Sequence, residues 1–306
     1  MEKTKKTVDK HVKKLWKSGK KKKIKFLILY IYKIQMNKNK IFYKFHKLYP
    51  QGGKLSHSFT HYGGKQLIFF KKNVIIKSME KVEYYQNLIK GEKREIFAAF
   101  RALLLEYNEK YNLTTITEER DMEIKHFLDS AIGEKFFKQG ASVAEIGSGA
   151  GFPSIVLKIL RPDLSLDLFE SVGKKCEFLQ AVVDKLGFSK MNIYNLRAET
   201  CAKDNKFRER YDHATARAVA RMNTLSEYCL PFVKVGGSFI AYKSGDQTEI
   251  KEAETAYKCL GGKLEKVFSY SLPENYGERT LAVVKKIKNT PPRFPRGQGK
   301  ERKNPL

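Results

Sequence analysis

From Val82 onward the apolar positions recur at helical spacing, first over 82–89 and then over 92–111. In the second run Ile96, Phe97, Phe100, Leu103, Leu104, Tyr107 and Tyr111 supply the apolar side. Thr117, Arg120 and Asp121 open a further helix, with Ile124, Phe127, Leu128 and Ala131 as its apolar residues. These segments predict an all-helical cap. Beyond residue 140 short apolar runs alternate with longer amphipathic ones. Strands are expected at 142–146, 165–169, 191–196, 212–216, 238–242, 264–270 and 280–287. Helices are expected at 152–161, 173–186, 222–233 and 247–260, stopped by Pro162, Gly187, Gly236-Gly237 and Gly261-Gly262. Such alternation predicts an α/β fold, a doubly wound sheet whose ligand lies over the C-terminal strand ends. The last two strands have no helix between them and predict an antiparallel hairpin at one edge. Residues 289–306 are basic and proline-containing and read as an extended tail.

The pattern divides the chain into residues 1–78, a helical cap at 79–140, a sheet domain at 141–288 and the tail at 289–306. Residues 1–78 show no sustained periodicity. They hold 22 lysines and no arginine against Glu2 and Asp9, so 20 of the chain's 27 net positive charges lie there. A basic arm for RNA and a membrane-surface segment are two readings of this stretch. The favoured expectation is low-complexity sequence read from a start placed too far upstream, with Met79 as the natural beginning. The mildly basic remainder suits a polyanionic partner.

The most apolar segment, 24–34, contains Lys25 and Lys33 and falls short of the roughly 20 apolar residues a spanning helix needs. No membrane association is expected, and the chain reads as cytoplasmic. Cys176, Cys201, Cys229 and Cys259 have no metal-ligand spacing, so no metal is expected.

Candidate chemistry sits at strand ends. The strand at 142–146 runs into Gly147, Gly149 and Gly151, and a helix follows at once. Glycines allow a tight turn and close approach of a ligand to the backbone, and a helix N-terminus favours an anionic group. The dinucleotide fingerprint would want glycine at 152, where this chain has Phe152. The spacing therefore leans toward the loop of S-adenosylmethionine (SAM) methyltransferases, although a plain turn joining a core strand to a helix also fits. Glu170 closes the second strand, where a carboxylate can accept hydrogen bonds from ribose hydroxyls. Ala198 and Glu199 follow the third strand at the expected adenine edge. Arg217 ends the fourth among small apolar residues, where its charge must meet a ligand or a structural partner.

From about Met79 to Leu306 the chain closely resembles the ribosomal RNA small subunit methyltransferase G family, also called glucose-inhibited division protein B. The resemblance rests on Tyr-Asn-Leu-Thr at 111–114, His-Phe-Leu-Asp-Ser at 126–130, Glu-Ile-Gly-Ser-Gly-Ala-Gly-Phe-Pro-Ser at 145–154 and Glu-Ser-Val-Gly-Lys-Lys at 170–175. Arg-Ala-Glu-Thr at 197–200, Thr-Ala-Arg-Ala-Val-Ala at 215–220, Ala-Tyr-Lys-Ser at 241–244, Gly-Glu-Arg at 277–279 and the tail continue it. One departure is Val156, where the family pattern has proline. The resemblance implies a Rossmann-like SAM-dependent methyltransferase fold. It also implies methylation at N7 of one guanine in a loop of 16S rRNA, with the rRNA or the small ribosomal subunit as partner. The enzyme is expected to act as a monomer.

Carried over by motif, Gly147, Gly149, Gly151, Phe152, Glu170, Ala198, Glu199 and Arg217 would bind SAM. Asn112, His126, Lys243 and Arg279 match motifs near the RNA or the reaction centre, as does Asp129. Guanine N7 carries a lone pair and no proton, so methyl transfer needs positioning rather than a base. His126 or Asn112 could hold the guanine edge. Lys243, Arg279 and the tail are candidate phosphate contacts. A nicotinamide oxidoreductase and a non-catalytic RNA-binding protein are the competing readings.

Overall fold

The computed structural model describes residues 83–306. The expectations for residues 1–78 lie outside them.

The cap begins with α1, residues 83–90, and α2, Arg94–Tyr111. The spacing of Phe97, Phe100 and Leu104 puts all three on the buried side of α2. Asn112 ends the helix in the left-handed region (φ 49°), and its amide returns to the Asn108 carbonyl. The next helix, α3, joins three pieces: Glu119–Asp121, a π-helical stretch Met122–Leu128, and Asp129–Ala131.

The sheet contains β1 (Ser142–Ile146), β2 (Ser165–Glu170), β3 (Met191–Asn195), β4 (Tyr211–Arg217), β5 (Val233–Ser244), β6 (Gly262–Ser271) and β7 (Glu278–Lys286). Its order is β3-β2-β1-β4-β5-β7-β6. The first five strands are parallel, and β7 is antiparallel to both neighbours. This is the doubly wound Rossmann-like sheet with a terminal hairpin. The strand order reverses between β1 and β4, which opens a crevice at their C-terminal ends.

Helices cover both faces. On one side lie the cap, α4 (Ser154–Leu160) and α5 (Gly173–Leu186). On the other lie α6 (Ala198–Cys201), α7 (Met222–Cys229), α8 (Thr248–Glu252) and α9 (Glu254–Cys259). The cap meets the sheet domain through aromatic packing. The Phe100 ring lies 5.7 Å from Phe127, 5.4 Å from Phe152 and 6.5 Å from Phe178. Full burial of one such side chain is worth about 1.5–3 kcal/mol. Tyr242 of β5 donates to the Ser130 carbonyl of α3 at 2.9 Å, fixing the cap against the strand ends.

Three expectations are corrected. The helix expected over 222–233 is α-helical to Cys229 and closes with a 3-10 turn, Leu230–Phe232, but the strand expected from 238 already starts at Val233 and runs through Gly236-Gly237. That glycine pair is a kink within a strand. A Cβ on Gly237 would lie 2.4 Å from the Asp212 carbonyl oxygen, and the β4–β5 register shifts there. The helix expected over 247–260 is two short helices meeting at Ala253. The tail does not extend away. It docks on α7, burying Phe294 and Glu301, and closes with a short helix, α10 (Lys300–Lys303). Arg208 holds it by donating to the carbonyls of Thr290, Pro291 and Phe294.

Candidate active site

The glycine loop follows β1 directly. Parallel pairing sets Ile146 beside Phe169, so the Gly147 amide reaches the Phe169 carbonyl at 2.8 Å. The loop therefore lies against the end of β2, where Glu170 stands. One Glu170 oxygen accepts from the Gly149 amide and the other from the Val172 amide, each at 2.9 Å. The carboxylate braces the loop and keeps lone pairs for further donors.

The glycines differ in purpose. A Cβ on Gly151 would sit 2.4 Å from Ile155 Cγ1, so this glycine (φ 82°) lets the loop close onto α4. A Cβ on Gly149 (φ 56°) would meet no atom nearer than the Gly147 carbonyl oxygen at 3.9 Å. The face of Gly149 is open to a ligand. A Cβ on Gly147 would lie 2.8 Å from Val219 Cγ2, and its loop packs there.

Arg217 closes β4 and turns toward the cap. Its Nη1 donates to Asp129 Oδ2 and to the Lys125 carbonyl, each at 3.0 Å. Its Nη2 lies 2.9 Å from His126 Nδ1. The guanidinium also lies over the Phe152 ring at 5.0 Å, and the His126 ring stacks on Phe152 at 4.4 Å. Asp129 further accepts from the Tyr270 hydroxyl at 2.7 Å and has Arg279 Nε at 3.8 Å. Arg120–Glu274 and Tyr276–Asp121 pairs pin the β6–β7 loop onto α3 and so hold Arg279 nearby.

An arginine always donates, so His126 Nδ1 accepts. The ring proton then sits on Nε2, which faces Thr114 Oγ1 at 2.9 Å. Burial first, then the Arg217 charge, pushes His126 down to about 3. The imidazole stays neutral, with both nitrogens engaged inside the protein.

Glu145 precedes the loop by two residues. It is buried, and neither carboxylate oxygen has a hydrogen-bond partner of normal geometry, nor does the neighbouring Ser154 hydroxyl. Burial pushes its carboxyl up to about 8, with Ser154 and Arg217 offsetting part of the rise. A buried carboxyl with neither oxygen paired calls for a polar partner, and a cation placed there would draw off its proton. At the ends of β2 and β3 the apolar side chains of Val172 and Leu196 are each 44% exposed. Glu145, Glu170, Val172 and Leu196 all stand at or beside the C-terminal ends of β1, β2 and β3.

The family model for rRNA small subunit methyltransferase G matches residues 93–278. The chain belongs to this family. A relative from Brevibacillus brevis named ribosomal RNA small subunit methyltransferase G is 47% identical over 217 residues, 70% of this chain and 91% of that protein. A relative of the same name from Lactobacillus acidophilus is 44% identical over 224 residues, 71% of this chain and 93% of its own length.

Within this family member, the expected site residues fall in five places. Gly147, Gly149, Gly151, Phe152 and Glu170 form the loop and its brace. His126, Arg217 and Arg279 meet around Asp129. Ala198 and Glu199 begin α6, after β3 on the far side of β2. Lys243 lies inward, with its ammonium 2.9 Å from the Ala220 carbonyl and 3.0 Å from Glu249. Asn112 is an exposed helix cap, two residues before the Thr114 that holds His126. Sequence reasoning missed Glu145, Thr114, Tyr270, Val172 and Leu196. Glu145 had a signal: an acid within a short apolar strand. Among the described residues no cluster of His, Cys, Asp and Glu fits a metal ion, and no helix is long and apolar enough to cross a membrane.

Proposed function

We propose that the protein methylates N7 of a guanine in 16S rRNA of the small ribosomal subunit, with SAM as donor and the cytoplasm as its site of action. The observation that carries the reading is the pairing of the open Gly149 face, braced by Glu170, with the orphaned Glu145 carboxylate. Glu145 suits the α-ammonium of SAM, Glu170 suits the ribose hydroxyls, and Val172 and Leu196 suit the two faces of adenine, with Ala198 and Glu199 at its edge. Bound SAM supplies an electrophilic sulfonium methyl group.

With SAM held there, transfer would form an N–C bond at the N7 lone pair as the C–S bond gave its electrons to sulfur, and the protein's residues would only have to align the two. No proton leaves, so no base is required. The site agrees with this chemistry: its histidine is neutral and has no free nitrogen. In this reading His126, Arg217 and Asp129 are positioning residues. They hold Phe152 and the cap against the loop and leave Arg279, partly exposed, to face the RNA. Residues 79–306 carry the whole machinery, and a chain beginning at Met79 retains activity.

Calorimetric titration with SAM and with NAD tests the cofactor. Binding of SAM alone, followed by transfer of a labelled methyl group to rRNA, supports the proposal. Binding of NAD in place of SAM sinks it.

A further inference from the structure

A second concave surface lies beyond α6. It is a cleft of about 600 Å³ between residues 197–203 and the tail loop 296–299. We infer that this cleft binds the phosphate backbone of the RNA substrate, outside the methyl-transfer site, with Arg197, Lys203 and the loop at Gln298 as its contacts. The inference rests on the rRNA reading above and names the surface that serves it.

The cleft wall is built. Arg296 pairs with Glu227 through Nε at 2.9 Å and Nη2 at 2.7 Å, and its amide reaches the same carboxylate at 2.8 Å. The Gly297 amide donates to Glu301, and Thr224 Oγ1 donates to the Glu301 carbonyl at 2.8 Å. Glu227 and Glu301 are both fully buried. Folding therefore takes these two acids inside, where they hold the loop. Cations face outward: Lys203 after α6 and, in the tail, Arg293, Lys300, Arg302 and Lys303 are exposed. Lys203 makes no ion pair among the described residues, and Arg197 has only Glu199 at 3.9 Å.

The chemistry of the lining selects the ligand. Its groups are guanidinium, ammonium, hydroxyl and amide, with Glu199 the one acid and no aromatic ring. Base recognition in single-stranded RNA relies on stacking surfaces, which are absent here. Phosphate contacts need only cations and N–H or O–H donors. The cleft also adjoins α6, so RNA held there lies beside the cofactor end of the sheet.

The test is the double variant Lys203→Glu/Gln298→Glu, which places two carboxylates in the cleft. Gln298→Glu keeps side-chain shape at a left-handed position (φ 58°). The control is Lys263→Glu/Lys288→Gln, the same charge change near β6 at the opposite sheet edge. RNA binding is read by filter retention of a 16S rRNA transcript and of an unrelated transcript of equal length, across a salt series. The expected result is an affinity loss of about tenfold or more beyond the control at low salt, equal for both RNAs. The salt slope should become shallower by about one to two phosphates' worth. Affinity for SAM should not change. If the double variant is unstable, Lys203→Ala alone should still weaken binding and flatten the slope. Affinity and slope matching the control, or a loss confined to the 16S transcript, would overturn the inference. Binding is measured without methyl transfer, so an inactive wild-type protein whose RNA binding still depends on Lys203 refutes the catalytic reading and not the cleft.

Discussion

Arg217 Nη2 stands 2.9 Å from His126 Nδ1; this contact fixes the tautomer of the imidazole and, second to burial, helps keep it uncharged. A buried histidine facing a permanent cation loses its ordinary titration. With His126 held down to about 3, its imidazole should show no titration by NMR between pH 5 and 8. The rate of methyl transfer should show no inflection from it in that range. Because the folded value is depressed, the neutral ring contributes stability that is present above about 6.5 and is lost as pH falls toward 3. A histidine resonance titrating near 6.5 and assigned to His126 would refute the geometry.

Arg217 also holds the cap to the sheet. Arg217→Ala removes three hydrogen bonds and leaves Asp129 with Tyr270 and Arg279. The expected loss is about 3 kcal/mol, the low end for breaking a buried pair, because Asp129 keeps two partners. Urea unfolding measures it. Arg217→Lys should recover part of the stability but not the simultaneous contacts to Asp129, Lys125 and His126. A variant as stable as the parent would show that the network is not what joins the cap.

Glu145 is the inverse case. Its carboxyl is raised to about 8, so the folded protein without ligand holds a proton that the unfolded chain releases near 4.5. Stability from this group is fully present below about 4.5 and is lost as pH rises toward 8. Glu145→Gln removes the charge and keeps the shape. Between pH 5 and 8 the ligand-free wild type should lose stability relative to the variant, by at least about 1 kcal/mol. SAM should bind the variant more weakly. Parallel pH profiles for the two proteins would remove Glu145 from its proposed role.

The glycine loop separates two functions by position. Gly151→Ala drives a methyl into Ile155 and should mainly destabilise the fold. Gly149→Ala places a methyl in open space at a left-handed residue. It should lower stability by only about 1–2 kcal/mol while weakening SAM binding at least tenfold. Melting curves and calorimetry on both variants distinguish the effects. Equal SAM affinity in Gly149→Ala and the wild type would close that face to the cofactor.

The order of strands and helices was legible because short apolar runs such as β1 and β2 alternate with longer helical segments such as the amphipathic α5, each stopped by glycine or proline. Failures arose where tertiary contacts override local pattern. Gly236-Gly237 read as a helix stop, yet the pair lets β5 pass close to the Asp212 carbonyl. The tail read as extended because its charges dominate its composition. Its docking depends on Arg208 and Glu227, which are distant in sequence. In the site, the glycine spacing and the acid at 170 announced themselves locally. The Arg217–His126–Asp129 network did not, because it joins β4 to a π-helical turn some ninety residues earlier. Partnership at such separation leaves no periodic trace.

The most direct test of the account is chemical mapping of N7-methylguanosine after incubating the purified protein with SAM and small ribosomal subunits that lack the modification. Borohydride reduction and aniline cleavage report methylation at N7 by a strand break. The account predicts one new break, in a loop of 16S rRNA, dependent on SAM and matched mole for mole by S-adenosylhomocysteine. Methyl incorporation without a break, or no incorporation into 16S rRNA by folded protein that binds SAM, would contradict it.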